Sequence, residues 1–471
     1  MLTLSKSKFT SLILGPVVCL TIWLMPLPNG LNPEGQAALA VLAFCMVWWI
    51  LAPVALPVTS LVGLALLPTL GALSPAVTLS LFGNQAVFFV IGVFIVASVM
   101  MQTGLSSRLT LLGLNKFARN ENSLCNATLC ISFGLCFFVV SHAVAALMLP
   151  LVLRLLQVMN LPYKSRFAKR LLLSMAWGTV CGSNISLLSS ARASLALELY
   201  TGFLSQQVNE GLLIGFVKFS LASIPVAFCS LVVAMVVLRF MFPPENVDVA
   251  QAVRQLKAEV GAKGAISMAE KLTAICVLLM VVTMIWAGPN WLGIVALLFC
   301  GLIFGLQLLQ WEDAQQYVNW GVALLYGGAI AIGAAVHKTG AASWLVHSLL
   351  PQGDVHPWLM LFGIGLLTII LTELISNSAV IAILLPVSLV LAAEIGLQPM
   401  AMAVFIPLCA GFAFVLPTST PAMAMVFGVG YLRIRDSLLG VTISVGTLLL
   451  FFLILAFWWP IIGLPPVQGA P

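Results

Sequence analysis

Long apolar stretches separated by short polar loops run through almost the whole chain. A helix needs about 20 predominantly apolar residues to cross a bilayer. Nine uninterrupted stretches are plausible crossings on that rule: 11–27, 37–52, 53–73, 86–103, 212–239, 271–288, 291–308, 319–337 and 438–463. This pattern predicts an all-α polytopic membrane protein.

Four further apolar stretches each have a polar, helix-breaking middle. They are 124–160 with Val140-Ser141-His142, 167–206 with Ser189, Ser190 and Arg192, 357–393 with Ser376-Asn377-Ser378, and 398–432 with Thr418-Ser419-Thr420-Pro421. Non-helical backbone at membrane depth is tolerated only where it is buried in protein or lines a wet cavity. Four breaks at matching depth therefore predict one shared cavity.

The loop charges predict how these stretches enter the membrane. Lys and Arg near the ends of a span favour the cytoplasmic side. Both ends of 124–160 carry such residues, namely Arg108, Lys116 and Arg119 before it and Lys164, Arg166, Lys169 and Arg170 after it. A segment with both ends on one side is not a simple crossing, so 124–160 is expected to be a re-entrant hairpin from the cytoplasm. Counting onward, 357–393 enters from outside, and the N-terminus is cytoplasmic.

The chain contains an inverted repeat. Residues 92–104 align with 328–340 at an offset of 236 positions, and the same offset pairs Pro150 with Pro386 and the two hairpin tips. We therefore predict about 11 transmembrane helices with two re-entrant hairpins. The expected segments are scaffold helices at 1–83, a first repeat at 84–240, a cytoplasmic linker at 241–270, scaffold helices at 271–318, and a second repeat at 319–471. Oppositely oriented halves with discontinuous helices are typical of secondary transporters.

Composition and charge exclude other classes of protein. The chain is 62% apolar and 7% charged, whereas soluble domains carry about 25% charged residues. Its 20 Lys and Arg exceed its 14 Asp and Glu, but they are spread over loops rather than gathered in a basic stripe, so no nucleic-acid partner is expected. A charge at membrane depth is costly and marks a functional candidate. Arg192 and Glu373 are such charges.

The polar breaks offer chemistry for ions. Exposed carbonyls and the oxygens of Ser, Thr and Asn can replace the water shell of Na⁺, and the free N–H groups of half-helix N-termini suit anionic oxygens. Residues 371–378 and the run Ser419-Thr420-Pro421 carry this pattern most fully. In these motifs the chain, from about Gln36 to Gly463, resembles the divalent anion/sodium symporter family of the ion transporter superfamily.

This resemblance implies a transporter of small di- or tricarboxylates, or related divalent oxyanions, coupled to a cation, with Na⁺ as the expected ion and no organic cofactor. It implies a homodimer and an elevator-type movement. The expected location is the plasma membrane, which would be the inner membrane if the protein is bacterial. The residues that it implies for a second-half Na⁺ site are Thr372, Ile375, Asn377 and Ser419. The second-half residues that it implies for the substrate are Ser376, Asn377, Ser378, Thr420 and Pro421.

The first half departs from the family pattern. Val140-Ser141-His142 stands where the family has Ser-Asn-Thr, and residues 189–193 stand where it has Gly-Thr-Pro-Pro-Asn. Ser141 and Ser189 are the candidates for a first Na⁺ site that lacks its amide, and Cys136 offers no hard oxygen. The first-half candidates for the substrate are Ser141, His142, Ser190 and Arg192. His142 is alternatively a proton carrier, and Arg192 alternatively pairs with Glu373.

The sequence is also compatible with other functions. Because the first hairpin tip departs from the Ser-Asn-Thr pattern, the chain also suits a dicarboxylate exchanger or a proton-coupled anion transporter. A cation/proton antiporter or an arsenite-type permease of the same superfamily would depend on intramembrane acids, of which Glu373 is one. An intramembrane hydrolase using Ser141, His142, Ser189 and Glu373 would leave the repeat unexplained, so we expect no enzyme.

Overall fold

The computed structural model describes residues 6–204, 212–245, 247–349 and 356–468. Residues 205 and 206 of the predicted stretch 167–206 lie outside these ranges, as do 1–5 and 469–471 at the ends of the predicted segments. Within the described ranges the chain forms α-helices and short 3-10 helices, and no strand. The all-α prediction is therefore confirmed.

The helices of the first half run as far as the predicted linker. They are α1 (Lys6–Leu24), α2 (Pro33–Leu51), α3 (Leu56–Thr69), α4 (Pro75–Phe82), α5 (Gln85–Gln102), α6 (Leu105–Phe117), α7 (Glu121–Leu135), α8 (Ser141–Val158), α9 (Arg166–Gly182), α10 (Ala191–Phe203) and α11 (Phe216–Met241).

The remaining helices begin inside the predicted linker. They are α12 (Ala250–Ala262), α13 (Met268–Ala287), α14 (Leu292–Gly305), α15 (Trp311–Tyr317), α16 (Trp320–Lys338), α17 (Ala341–Leu349), α18 (Pro357–Leu374), α19 (Asn377–Glu394), α20 (Pro399–Cys409), α21 (Pro421–Gly428) and α22 (Gly440–Ile461). The segment 241–270 thus contains one helix, α12, which packs on α6 and α8.

Each of the four interrupted stretches forms a pair of helices with a gap at the expected place. The pairs α7 with α8 and α18 with α19 are the hairpins, and α9 with α10 and α20 with α21 are the broken helices. The second hairpin breaks because Ile375 adopts an extended backbone, with φ −131° and ψ 170°. Whether the hairpins re-enter the membrane from opposite sides stays a prediction.

Nine helical stretches among the described residues are long and apolar enough to cross a membrane. Their outer faces carry large apolar side chains, such as Trp286, which is 85% exposed, and Phe240, which is 82% exposed. In water such exposure would be unfavourable, whereas lipid solvates it. The chain is a polytopic membrane protein, and the number of crossings, expected to be about 11, stays a prediction.

Charged residues at the predicted cytoplasmic end tie helices together. Arg108 Nε lies 2.7 Å from Glu270 Oε1, which joins α6 to α13. Lys169 Nζ lies 2.9 Å from Asp436 Oδ1, which joins α9 to the segment before α22. Burial raises the pKa of Glu245, but hydrogen bonds from Ser165 and from the backbone N–H groups of Arg166 and Phe167 outweigh it and lower the pKa below its ordinary value. Arg108 and Lys169, which were used to predict the topology, therefore also form ion pairs that hold helices together.

Small residues allow the first hairpin to approach the first broken helix. A Cβ at Gly182 would lie 2.7 Å from both Cys136 Cβ and the Phe133 carbonyl oxygen. Gly178, one turn earlier, meets α7 just as closely. Small residues spaced by four are a common way for membrane helices to bring their backbones together. This contact holds the tip of the first hairpin over the break between α9 and α10.

We expect Gly182→Ala to destabilise the protein, because overpacking a tight contact costs about 1–3 kcal/mol. Gly134→Ala, in the same hairpin but with open space around its Cβ, is the matched control and should not lower stability. Thermal unfolding of both variants in detergent measures the difference. Equal unfolding temperatures would show that the α7–α9 contact is not close packed.

Candidate functional site

A cavity of about 310 Å³ lies where the two hairpin tips and the two broken helices meet. Nine of the predicted site residues line it: Ser141, His142, Ser190, Arg192, Ser376, Asn377, Ser378, Ser419 and Pro421. Thr420 lines an adjoining cavity of about 50 Å³. The other three predicted site residues, Thr372, Ile375 and Ser189, line neither of these two cavities. The structure therefore brings together both halves of the predicted site.

Four helix N-termini converge on this cavity. The first residues of α8, α10, α19 and α21 are Ser141, Ala191, Asn377 and Pro421, and all four line it. The first turn of a helix has N–H groups without intrahelical partners and carries the positive end of the helix dipole. Such ends attract anionic oxygens. The geometry gives this cavity a positive character before any charged side chain is considered.

The tip of the second hairpin gathers oxygen atoms behind the cavity wall. Thr372 Oγ1 lies 2.6 Å from Asn377 Oδ1 and 2.8 Å from the Ala410 carbonyl oxygen. Thr372 is fully buried. One hydroxyl proton can satisfy only one of the two acceptors, so this cluster has more oxygen lone pairs than protons. Carbonyl, hydroxyl and amide oxygens are ligands that suit a hard cation.

The carboxylate of Glu373 holds the break between α20 and α21. Its Oε1 accepts hydrogen bonds from the N–H groups of Phe414 at 2.8 Å and Val415 at 3.0 Å, and its Oε2 accepts one from Leu416 at 2.9 Å. Ser419, a predicted Na⁺ residue, donates its hydroxyl to the Leu416 carbonyl at 2.6 Å. Glu373 therefore satisfies backbone donors of the break, and its predicted alternative pairing with Arg192 is absent from the described structure.

The first hairpin makes the corresponding contacts with different atoms. Cys136, which lies 236 positions before Thr372, places its Sγ 3.7 Å from the Thr179 carbonyl oxygen. The Ser141 N–H donates to the Ser189 carbonyl at 3.2 Å. The Ser189 hydroxyl donates within its own loop, 2.6 Å from the Ser186 carbonyl oxygen. The first half keeps the fold of the tip without the oxygen cluster of the second.

His142 faces the cavity from the tip of the first hairpin. Its ring packs edge-on against Phe94, with ring centroids 5.4 Å apart. It makes no hydrogen bond with another residue in the described part of the chain. The ring nitrogens of His142 are therefore available to a ligand or a proton.

Arg192 is buried, with 6% of its surface exposed, at the start of α10. Its Nε donates to the Pro407 carbonyl at 2.9 Å, and its Nη2 contacts the Ser183 hydroxyl at 3.0 Å and the amide oxygen of Asn184. Nη1 makes no hydrogen bond with any described residue. Because Arg192 lines the cavity, two N–H donors of Nη1 remain for an anion.

Seven lining residues were not among the predicted site residues. Val140 and Ala191 stand beside predicted residues in the two first-half breaks, and the other five are Phe94, Asn319, Val322, Tyr326 and Met425. Tyr326 is fully buried, and its hydroxyl lies 3.1 Å from the Ser378 hydroxyl. A phenol in the middle of the apolar span 319–337 was the available signal. The apolar residues gave no signal, because they are indistinguishable in sequence from lipid-facing or core positions.

The arrangement combines a positive cavity with an oxygen cluster for a hard cation. In the described part of the chain no group of three or more His, Cys, Asp or Glu side chains is placed to hold a metal ion. Two helical halves whose broken helices meet at one polar cavity define the class of secondary membrane transporters.

The chain matches the family described as the sodium:sulfate symporter transmembrane region over residues 6–464, and it belongs to that family. The family expected from the tip and loop motifs is thereby confirmed.

Two curated relatives are both described as sodium-dependent dicarboxylate transporters. The sodium-dependent dicarboxylate transporter SdcS of Staphylococcus saprophyticus is 24% identical over 496 residues, which covers 98% of this chain and 94% of the relative. SdcS of Staphylococcus aureus is 24% identical over 489 residues, which covers 97% of this chain and 92% of the relative.

A solved structure has a similar fold. MtrF of Neisseria gonorrhoeae, described among antimetabolite efflux pumps, superposes with a TM-score of 0.59 at 13% identity, covering 100% of this chain and 98% of MtrF. At that identity the likeness concerns the fold alone.

We expect Glu373→Gln to destabilise the break between α20 and α21, because a neutral amide offers one oxygen to the three N–H groups that the carboxylate now serves. Hydrogen bonds to a charged group contribute about 1.5–3 kcal/mol each, so the variant should unfold at a clearly lower temperature in detergent. Glu34→Gln, at an exposed carboxylate, is the control. If both variants behaved alike, Glu373 would not be the residue that holds the break.

Proposed function

We propose that this protein is a Na⁺-coupled transporter of small dicarboxylates. The observation that carries the proposal is the convergence of four helix N-termini and the Arg192 guanidinium on one cavity beside an oxygen cluster. The names of the SdcS relatives, which are sodium-dependent dicarboxylate transporters, support the same substrate and ion.

The substrate contacts follow from the lining of the cavity. One carboxylate of the anion binds Arg192 Nη1 and the N–H groups at the start of α10, beside Ser190 and His142. The other binds the start of α19, where Ser376, Asn377 and Ser378 supply polar atoms, with Thr420 and Pro421 of α21 bordering it. Several helix dipoles share the charge of the anion, which lowers the cost of holding it away from water.

The Na⁺ site of the second half consists of Thr372 Oγ1, Asn377 Oδ1 and backbone carbonyls near Ile375, Ala410 and Ser419. Asn377 belongs to both sites, because its side chain lies in the oxygen cluster and its residue lines the cavity. A cation there attracts the negatively charged substrate, and this attraction is strong because the dielectric constant inside the protein is low. Ion and anion therefore bind more tightly together than alone.

We further propose the side of the membrane to which the cavity opens and the movement that carries the substrate across. With the N-terminus cytoplasmic, α16 begins on the cytoplasmic side. Asn319, just before this helix, and Val322, in its first turn, border the cavity. The cavity then opens to the cytoplasm. The hairpins and broken helices move together as an elevator past the other helices, of which α5 and α16 contact α10. The resemblance implies that two such chains form a homodimer.

Purified protein in liposomes should accumulate labelled succinate when a Na⁺ gradient is applied. Thr372→Val, which removes the hydroxyl but keeps the shape, should raise the half-saturating Na⁺ concentration by about tenfold, the equivalent of about 1.4 kcal/mol. Thr372→Ser keeps the oxygen and should stay close to the wild type. Succinate uptake as a function of Na⁺ concentration measures all three proteins.

Three outcomes would contradict the proposal. If Thr372→Val and Thr372→Ser depended equally on Na⁺, the oxygen cluster would not be the cation site. If uptake followed a proton gradient and ignored Na⁺, the proton-coupled alternative would hold, with His142 as the titrating residue because its ring faces the cavity without a hydrogen bond. Liposomes that take up no dicarboxylate under either gradient would refute both alternatives.

A further inference from the structure

We infer that Arg192 takes the place of a coupling cation in the first half, so that the carrier binds one Na⁺ per cycle and not one in each half. This inference rests on the proposed function, because it assigns the ion stoichiometry of that same site. The Arg192 guanidinium is a cation tethered to the chain, and the exchangeable cation binds in the second half.

The two hairpins show that the first half has lost the ligands for a free cation. In the second half, Thr372 Oγ1 and Asn377 Oδ1 meet the Ala410 carbonyl oxygen. The positions 236 residues earlier are Cys136 and Ser141. Cys136 contacts the Thr179 carbonyl in the equivalent way, but through sulfur. Hard cations are bound by oxygen ligands, so the equivalent first-half position does not suit Na⁺.

Oxygen atoms of the first break surround the guanidinium instead. Arg192 Nη2 lies 3.3 Å from the Ser183 carbonyl oxygen and 3.0 Å from the Ser183 hydroxyl, and it also contacts the amide oxygen of Asn184. Nε adds the Pro407 carbonyl at 2.9 Å. Carbonyl, hydroxyl and amide oxygens around one positive charge are the set that a bound Na⁺ would have. Here the positive charge belongs to the protein.

The positive charge of Arg192 has no carboxylate to balance it. None of the ion pairs in the described part of the chain includes Arg192, and Glu373 is occupied by backbone N–H groups. Its position at the start of α10 adds the positive end of a helix dipole. A buried, unbalanced cation is unfavourable, so an anion in the cavity is the natural partner for Nη1. A Na⁺ ion bound in the first half would likewise favour binding of an anion in the cavity.

Gly411 provides a way to disturb this cation without removing it. A Cβ at Gly411 would collide with Arg192 Nη2 and with the side-chain amide of Asn184. The absence of a side chain at this position in the second break therefore allows the first-half guanidinium to lie across it. The position of the Arg192 guanidinium therefore depends on residues of both halves, Asn184 in the first and Gly411 in the second.

The test counts bound ions and does not depend on transport. Purified protein with saturating succinate and radioactive Na⁺ should bind one Na⁺ per chain. The triple variant Arg192→Ala, Cys136→Thr, Ser141→Asn, which removes the tethered cation and supplies oxygens, should bind two. Gly411→Ala should weaken succinate binding about tenfold by displacing the guanidinium. Gly363→Ala, with open space around its Cβ, should leave binding unchanged.

A flux measurement on the wild-type protein needs no variant to fold. With the membrane potential held at zero, a tenfold Na⁺ gradient should sustain about a tenfold succinate gradient if one Na⁺ is coupled, and about a hundredfold gradient if two are. Two bound Na⁺ per wild-type chain, or a hundredfold gradient, would overturn this inference and leave the proposed function intact. No bound Na⁺ would overturn the proposed function itself and, with it, the inference.

Discussion

The need to satisfy backbone polar groups inside the membrane determines the rest of this structure. A helix that breaks at membrane depth exposes N–H and C=O groups that lipid cannot solvate. Here the donors of the second break bind Glu373, and one carbonyl of the first break binds Arg192. The site therefore lies where the helices break.

The two halves meet this requirement with opposite charges. A carboxylate in the second hairpin serves N–H groups, whereas a guanidinium in the first broken helix serves carbonyls. The carboxylate makes the second half more negative, beside an oxygen cluster suited to a cation. The guanidinium makes the first half more positive, beside helix N-termini suited to an anion. Two ligands of opposite charge thus fit two halves that each contain a hairpin and a broken helix.

The sequence allowed the breaks and most of the cavity lining to be predicted, because a polar residue inside an apolar run is rare and costly. Ser141, Arg192 and Asn377 were found in this way. The partners of the two charges were not predicted, because those of Glu373 and two of those of Arg192 are backbone groups, which leave no trace in residue identity. The other partners of Arg192 are the side chains of Ser183 and Asn184. Glu373 and Arg192 were considered as a pair, and three-dimensional contacts were needed to separate them. Phe94 and Met425 had no polar signal at all.

The central claim is that one cavity holds the anion next to a second-half cation. A cryo-electron microscopy map of the protein in lipid nanodiscs with Na⁺ and succinate tests it most directly. We predict density for the anion between Arg192 Nη1 and the start of α19, with one cation among the oxygens of Thr372, Asn377 and Ala410. Density for the anion outside this cavity, or a cation beside Cys136 and Ser141, would contradict the account.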